Sequence, residues 1–166
     1  MGTPTSRWIF VLLAIFALGA FTAPHANAIG PMSLPMHGNW CGPSHPANAR
    51  EASFPPIDPL DAACYQHDVC VAVQGTGDCG CDITLMNTLK QMRYPTPGLE
   101  EKGRALYDAI GLIPCADPFG MAYKQRCVWG DLAQDTVTGR RAPWQMPLRF
   151  GKLGMTVLEN KVRQGW

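Results

Sequence analysis

Hydrophobic residues recur at helical spacing in the central part of the chain. The first such face consists of Leu60, Cys64, His67 and Val71. Residues three or four positions apart lie on one side of an α-helix. Asp58 followed by Pro59 fits an N-cap and a first helical residue, and glycines in the segment "QGTGD" interrupt the pattern. The pattern therefore predicts a helix that begins at Pro59 and stops at that segment, where the glycines break it.

Two further helices are predicted after the glycines. The segment "DITLMNTLKQM" places Leu85, Met86 and Leu89 on one face, and Pro95 lies beyond its end. The segment "GLEEKGRALYDAIGL" has a similar pattern. Because the connection between the first two helices is short, we expect them to be antiparallel neighbours.

The pattern weakens on both sides of these helices. From Ile29 to Pro56 the chain is rich in proline and glycine, which predicts a long loop of the kind that usually serves a function. Beyond Cys115, "RRAPWQMPLRFGKLG" is expected to be a loop, and "MTVLENKV" a strand or a short helix. His37 and His45 lie in predicted loops and are expected at the surface.

An apolar run from Trp8 to Phe21 follows the single positive charge of Arg7. It is shorter than the ~20 residues that span a bilayer, and it is followed by the small-x-small segment Ala26–Ala28. These features predict a secretory signal peptide over residues 1–28 and one domain over residues 29–166, with no membrane span after cleavage. An uncleaved anchor is the alternative. The product would be secreted, either extracellular or periplasmic.

Composition narrows the class of protein. The formal net charge is +1, and Arg7 is the one charged residue before Ile29, so removal of residues 1–28 leaves 1 − 1 = 0. A neutral chain has no overall attraction for nucleic acid or for anionic membranes. All seven cysteines follow Ile29, and in an exported chain they predict disulfides.

The segment "CYQHDVC" places chemistry on two faces of the first helix. Cys64 lies four residues before Asp68, and Cys70 lies three residues after His67. A Cys64–Cys41 disulfide would bring the Trp40–Ser44 loop beside Asp68. A Cys70–Cys81 disulfide would bring Asp82 beside His67. We predict both bonds. Cys79 is expected to pair with Cys115, with Cys115–Cys127 as the alternative, and one cysteine is left over.

Each face suits a different reaction component. A carboxylate beside loop carbonyls offers the oxygen ligands that calcium prefers. A histidine backed by an aspartate is a general base held in one tautomer, which would activate water directly. A zinc cluster of cysteines and His67 is the rival interpretation. Its members would be Cys64, His67, Cys79 and Cys81.

Three motifs in order resemble those of the secreted phospholipases A2. They are Trp40-Cys41-Gly42-Pro43-Ser44 for the calcium loop, Cys64-Tyr65-Gln66-His67-Asp68-Val69-Cys70 for the catalytic helix, and Cys79-Gly80-Cys81-Asp82 for the second helix. The lead-in "PIDPLD" is also similar. The resemblance covers residues 39–89, and its loop spacing is closest to that of the bee-venom branch.

The resemblance implies a mainly α, small disulfide-stapled domain in which two antiparallel helices carry the active site beside a calcium-binding loop. His67 would be the catalytic base and Asp82 its orienting partner. Asp68 would bind Ca²⁺ together with three backbone carbonyls, those of Trp40, Gly42 and Ser44. The reaction would be hydrolysis of the sn-2 ester of a glycerophospholipid at a membrane or micelle surface, which gives a fatty acid and a lysophospholipid.

The chain departs from the family pattern at three positions. Ser44 replaces a glycine of the loop, and Ala63 replaces a cysteine before the histidine. Val71 replaces a tyrosine that bonds the orienting aspartate, so Asp82 either has another donor or is held less tightly. The alternative function is a secreted binding or toxin-like protein that kept the scaffold and lost turnover. The joint presence of His67, Asp68 and Asp82 favours the enzyme.

Overall fold

A computed structural model describes residues 33–46, 48 and 51–163. A 3₁₀ turn spans Glu51–Ser53, and five α-helices follow. The helices are α1 (Pro59–Gln74), α2 (Cys79–Gln91), α3 (Pro97–Leu112), α4 (Pro118–Val137) and α5 (Gln145–Arg163). No strand is assigned within the described ranges. The predicted signal peptide over residues 1–28 lies outside them.

Three of the helices begin with the same pair, a capping residue followed by proline. Asp58, Thr96 and Asp117 each accept a hydrogen bond from a backbone N–H of the first turn. The following proline has no N–H to lose and its φ is already helical, so it suits the first helical position. The predicted start and end of α1 are confirmed, and so is the predicted extent of α3.

The core forms where these helices meet. The buried side chains of α1, α2 and α3 pack together, and Val128 of α4 and Met146 of α5 complete the cluster. Val128 has no exposed surface, and a Cβ atom at Gly111 of α3 would clash with it. The absence of a side chain at Gly111 therefore allows α3 and α4 to approach closely.

Three disulfides connect the helices, as the sequence predicted. Cys41 bonds to Cys64, Cys70 to Cys81, and Cys79 to Cys115. The end of α1 is thereby held beside the start of α2, so the two helices run in opposite directions. The alternative Cys115–Cys127 bond is wrong, because Cys127 is a free cysteine. The chain is a small, mainly helical domain held by disulfides.

The C-terminal part differs from the prediction. The pattern beyond Cys115 is weak, yet α4 covers 20 residues of it. The loop predicted for "RRAPWQMPLRFGKLG" is wrong from Gln145 onwards, where α5 begins, and "MTVLENKV" belongs to the same helix. Pro147 does not prevent this helix, because it lies in the first turn, where backbone N–H groups have no partner within the helix.

None of the helices in the described ranges is both long enough and apolar enough to cross a bilayer.

Candidate active site

His67 of α1 and Asp82 of α2 form a hydrogen-bonded pair. The distance from His67 Nε2 to Asp82 Oδ1 is 2.9 Å. The Cys70–Cys81 disulfide lies directly beside this pair and fixes the facing turns of the two helices. Because the carboxylate accepts a hydrogen bond from Nε2–H, the neutral imidazole keeps its lone pair on Nδ1. The structure thus brings together the two residues predicted to be catalytic.

Nδ1 faces the side of the site that carries Asp68. It lies 3.8 Å from Asp68 Oδ1, within ion-pair range and beyond a normal hydrogen bond. The His67 side chain is 16% exposed, so solvent still reaches the imidazole. Two carboxylates therefore face the two ring nitrogens of one histidine, the one on α2 at closer range.

Lys124 of α4 joins His67 and Asp82 in one hydrogen-bonded cluster. It is fully buried, and its Nζ donates to Asp82 Oδ2 and, at 2.8 Å, to the Ile113 carbonyl. Lys124 is thus the donor that Asp82 needed with Val71 at the tyrosine position. The sequence did not indicate this residue, because no helix was predicted for the segment that became α4.

The charges around His67 and Asp82 shift the pKa values of both groups. Burial lowers the pKa of His67, but the interactions with Asp68 and Asp82 outweigh burial and raise this pKa to about 9. Burial raises the pKa of Asp82, but hydrogen bonds from His67 and Lys124 outweigh that effect and lower it below its usual value. Asp82 therefore stays ionised and stabilises a protonated imidazole.

Asp68 has an oxygen without a partner. Its Oδ2 is buried and accepts no hydrogen bond from any residue in the described ranges. Burial raises the pKa of Asp68, although the positive charge of His67 opposes this shift. A buried carboxylate oxygen with no donor is costly in a folded protein, which suits a residue that holds a cation.

The Trp40–Ser44 loop is tied to the helix that carries Asp68. Its Cys41 bonds to Cys64, one helical turn before Asp68. Gly42 has φ 146°, and a Cβ atom there would clash with the Leu34 carbonyl, so this position requires glycine. Ser44 has φ 53°, which means that the serine adopts the left-handed conformation that glycine would favour.

Asp61 of α1 holds the same loop through backbone hydrogen bonds. It is fully buried, and its carboxylate accepts three backbone N–H groups at 2.8–3.0 Å, from Asn39, Trp40 and Ile57. One side chain therefore ties the start of the loop to the residues just before α1. The loop is therefore set by a carboxylate as well as by a disulfide.

The two loop histidines are not the surface residues that the sequence predicted. His45 is 7% exposed, and its Nε2 has no hydrogen-bond partner within the described part of the chain. Nε2–H of His37 donates to the Asp58 carboxylate at 2.6 Å, and the residue is half-buried. Both predictions are wrong because the loop folds back on α1 and covers these rings.

The residues present fit calcium better than zinc. The zinc alternative is contradicted, since Cys64, Cys79 and Cys81 are each consumed in a disulfide. The unpartnered Asp68 oxygen and the backbone carbonyls of the loop are hard oxygen donors, which calcium prefers. The Gly42 carbonyl accepts one hydrogen bond from His45 N–H and keeps a second lone pair.

Comparison with models of protein families, with curated proteins and with solved structures found no match. The functional argument therefore depends on the geometry of the site.

Proposed function

We propose that the protein is a secreted, calcium-dependent phospholipase A2 that hydrolyses the sn-2 ester of glycerophospholipids. The observation that carries the proposal is the orientation of His67. Its Nε2 is bonded to Asp82, and its Nδ1 lies on the same side as the unpartnered oxygen of Asp68. A base whose free nitrogen faces the carboxylate of a cation site suits a reaction in which water attacks a carbonyl.

In the proposed reaction, Nδ1 of His67 takes a proton from a water molecule. The water oxygen attacks the sn-2 carbonyl carbon, and Asp82 stabilises the imidazolium that forms. The imidazolium then returns the proton to the departing glycerol oxygen as the ester C–O bond breaks. The products are a fatty acid and a lysophospholipid, and His67 is restored to its neutral form.

Asp68 and the backbone carbonyls of Trp40, Gly42 and Ser44 would hold calcium. When bound, the ion supplies positive charge that stabilises the oxyanion of the attacked ester and lowers the pKa of His67 by repulsion.

The surface of α1 supports a lipid substrate. Tyr65, Val69 and Val73 recur every four residues and are 39%, 45% and 74% exposed. Phe54 and Ile57, just before this helix, are 49% and 64% exposed. Apolar side chains that cluster in this way beside a catalytic residue favour contact with a lipid aggregate.

The test is release of fatty acid from phosphatidylcholine vesicles by the purified protein, with calcium and with excess chelator. We expect hydrolysis with calcium and none with chelator. Asp68→Asn removes a formal charge from the cation site and should weaken calcium binding about tenfold or more. Glu159→Gln, which neutralises an exposed acid on α5, is the matched control. It should leave calcium binding and hydrolysis unchanged.

Hydrolysis that continues undiminished in excess chelator would contradict the calcium requirement. A folded protein that binds calcium and vesicles but releases no fatty acid would favour the alternative, a secreted binding protein on the same scaffold.

A further inference from the structure

A second polar site lies away from His67. A cavity of about 650 Å³ is bounded by the end of α2, by α3, by α4 and by the start of α5. Its volume is typical of small-molecule sites. None of the candidate catalytic or calcium-binding residues lines it. Lys90 of its wall lies eight residues beyond Asp82 on α2, or about 12 Å along the helix axis.

Positive charge is in excess at one end of this cavity. Three arginines, 140, 141 and 149, face two carboxylates there. Arg141 contacts Asp135 at 3.0 Å and Asp108 at 3.4 Å. Arg149 also contacts Asp108, and Arg140 contacts Asp135 at 3.4 Å. Since guanidinium groups remain protonated in proteins, one positive charge is uncompensated.

The remaining charged side chains of the wall do not offset that excess. Lys90 pairs with Asp131 at 2.8 Å, and Arg104 pairs with Glu100 at 2.8 Å. Each of these carboxylates faces one cation of its own. The excess charge therefore stays with the three arginines.

Two of the arginines also carry unsatisfied donors. Nε of Arg141 and Nε of Arg149 are buried and have no hydrogen-bond partner among the residues that the structure describes. The two residues are only 6% and 7% exposed. A buried charged donor without an acceptor is rare in folded proteins and indicates a missing partner.

We propose that this cavity binds a small phosphate monoester. A guanidinium presents its N–H groups in a planar fork that matches the oxygens of phosphate. A phosphate group would supply acceptors for the unpaired Nε–H groups and negative charge for the excess arginine. Leu89, Met92 and Tyr94 line the same cavity and offer an apolar wall to the organic part of the ligand.

The ligand has two possible sources, a soluble phosphate monoester or the headgroup of a lipid such as phosphatidic acid. Both present the same phosphate, and separate binding measurements distinguish them. All measurements are made on the whole chain in excess chelator, so that no calcium in the candidate active site can bind the phosphate. The result is then independent of the proposed hydrolysis.

The first measurement is calorimetric titration with sn-glycerol 3-phosphate, with glycerol as the neutral control. The second is co-sedimentation with phosphatidylcholine vesicles that do or do not contain phosphatidic acid. We expect saturable binding in at least one of them and none to glycerol. Binding to the soluble compound identifies a free monoester, and binding to the anionic vesicles alone identifies a lipid headgroup.

Two variants locate the site. Arg149→Lys keeps the charge but removes Nε, and it should weaken binding about tenfold or more. Arg140→Gln removes the charge of a side chain that is 62% exposed, so the fold should tolerate it, and a similar loss is expected. Arg126→Gln changes another exposed arginine outside the cavity and should bind like the parent.

The proposal is overturned if neither phosphate compound binds. It is also overturned if Arg140→Gln and Arg126→Gln bind as tightly as the parent.

Discussion

Two buried aspartates each gather two basic side chains, and the two clusters differ in one respect. Asp82 contacts His67 and Lys124, whereas Asp108 contacts Arg141 and Arg149. Histidine can lose its proton near neutral pH, but arginine cannot. The first cluster can therefore move a proton, and the second can only hold fixed charge. A buried carboxylate can thus support proton transfer or hold fixed charge, according to which cations surround it.

The largest effect should come from removing the basic nitrogen of the Asp82 cluster. His67→Gln keeps a hydrogen-bonding side chain of similar reach but has no useful basicity. We expect turnover of phosphatidylcholine vesicles to fall by at least ~10²–10⁴-fold, while calcium binding and the thermal midpoint change little. Glu159→Gln, an exposed position outside both clusters, is the control. A His67→Gln protein that folds and hydrolyses within a few-fold of the parent would make His67 structural.

Removing the fixed cation of the Asp82 cluster should mainly affect stability. Lys124→Met keeps the length of the side chain but leaves Asp82 and the Ile113 carbonyl without a buried donor. We expect a loss of about 3–5 kcal/mol in the free energy of unfolding, measured by urea denaturation. Adding Asp82→Asn to this variant should restore part of that loss, because the carboxylate charge is gone. No loss in the single variant would refute the ion pair.

The two clusters should also differ in their response to pH. In chelator, the folded pKa of His67 is raised to about 9, above the 6.5 of the unfolded chain. The stability that His67 contributes is then complete below pH 6.5 and is lost as the pH rises through 9. Urea denaturation between pH 6.5 and 9.5 should show this decline, and His67→Gln should flatten it. An imidazole that titrates near 6.5 by NMR would contradict the geometry.

The smallest effect is expected at the loop. Ser44 is in the left-handed region, where a residue with a Cβ atom costs about 1 kcal/mol or more. Ser44→Gly relieves this strain and should raise stability or calcium affinity by no more than that amount. Calorimetric titration with calcium measures it, with Ser44→Ala as the control that keeps the Cβ atom. Equal affinities in all three proteins would mean that serine is accommodated without strain.

The Asp82 cluster was largely predictable because its signals are local. His67 and Asp82 lie close to cysteines whose pairing brings them together, and the caps of α1 and the spacing of its apolar residues are visible in the sequence. The Cys41–Cys64 and Cys70–Cys81 disulfides followed from that pattern, whereas Cys79–Cys115 was preferred over an alternative pairing. The calcium site stays a prediction, which rests on the disulfide that ties the loop to α1 and on the unpartnered oxygen of Asp68.

Lys124 could not be found in the same way. It occupies a buried position where an apolar residue would have marked the inner face of α4, while Phe119, Trp129 and Val137 of that helix are exposed. The hydrophobic residues of α4 therefore do not mark its buried face. One signal was present, because Asp117-Pro118 repeats the capping pair of Asp58-Pro59 that marked α1.

The Asp108 cluster has no local signature. Asp108 lies on α3, Arg149 on α5, and Arg141 in the connection before α5, so the cluster exists only after the helices have packed. Pro147 and two glycines within the start and middle of α5 also favoured a loop in the sequence. Tertiary packing outweighed these local preferences.

The positions of the disulfides divide the chain into two parts with different responses to a protease. The three bonds bridge residues 41–64, 70–81 and 79–115. A single cut in any connection between helices α1, α2 and α3 would leave the fragments in one covalent molecule until a reductant is added. Residues 138–144, between α4 and α5, are bridged by none of these bonds. A cut there would free α5 and Arg149 with it, while His67 and Asp82 remain linked.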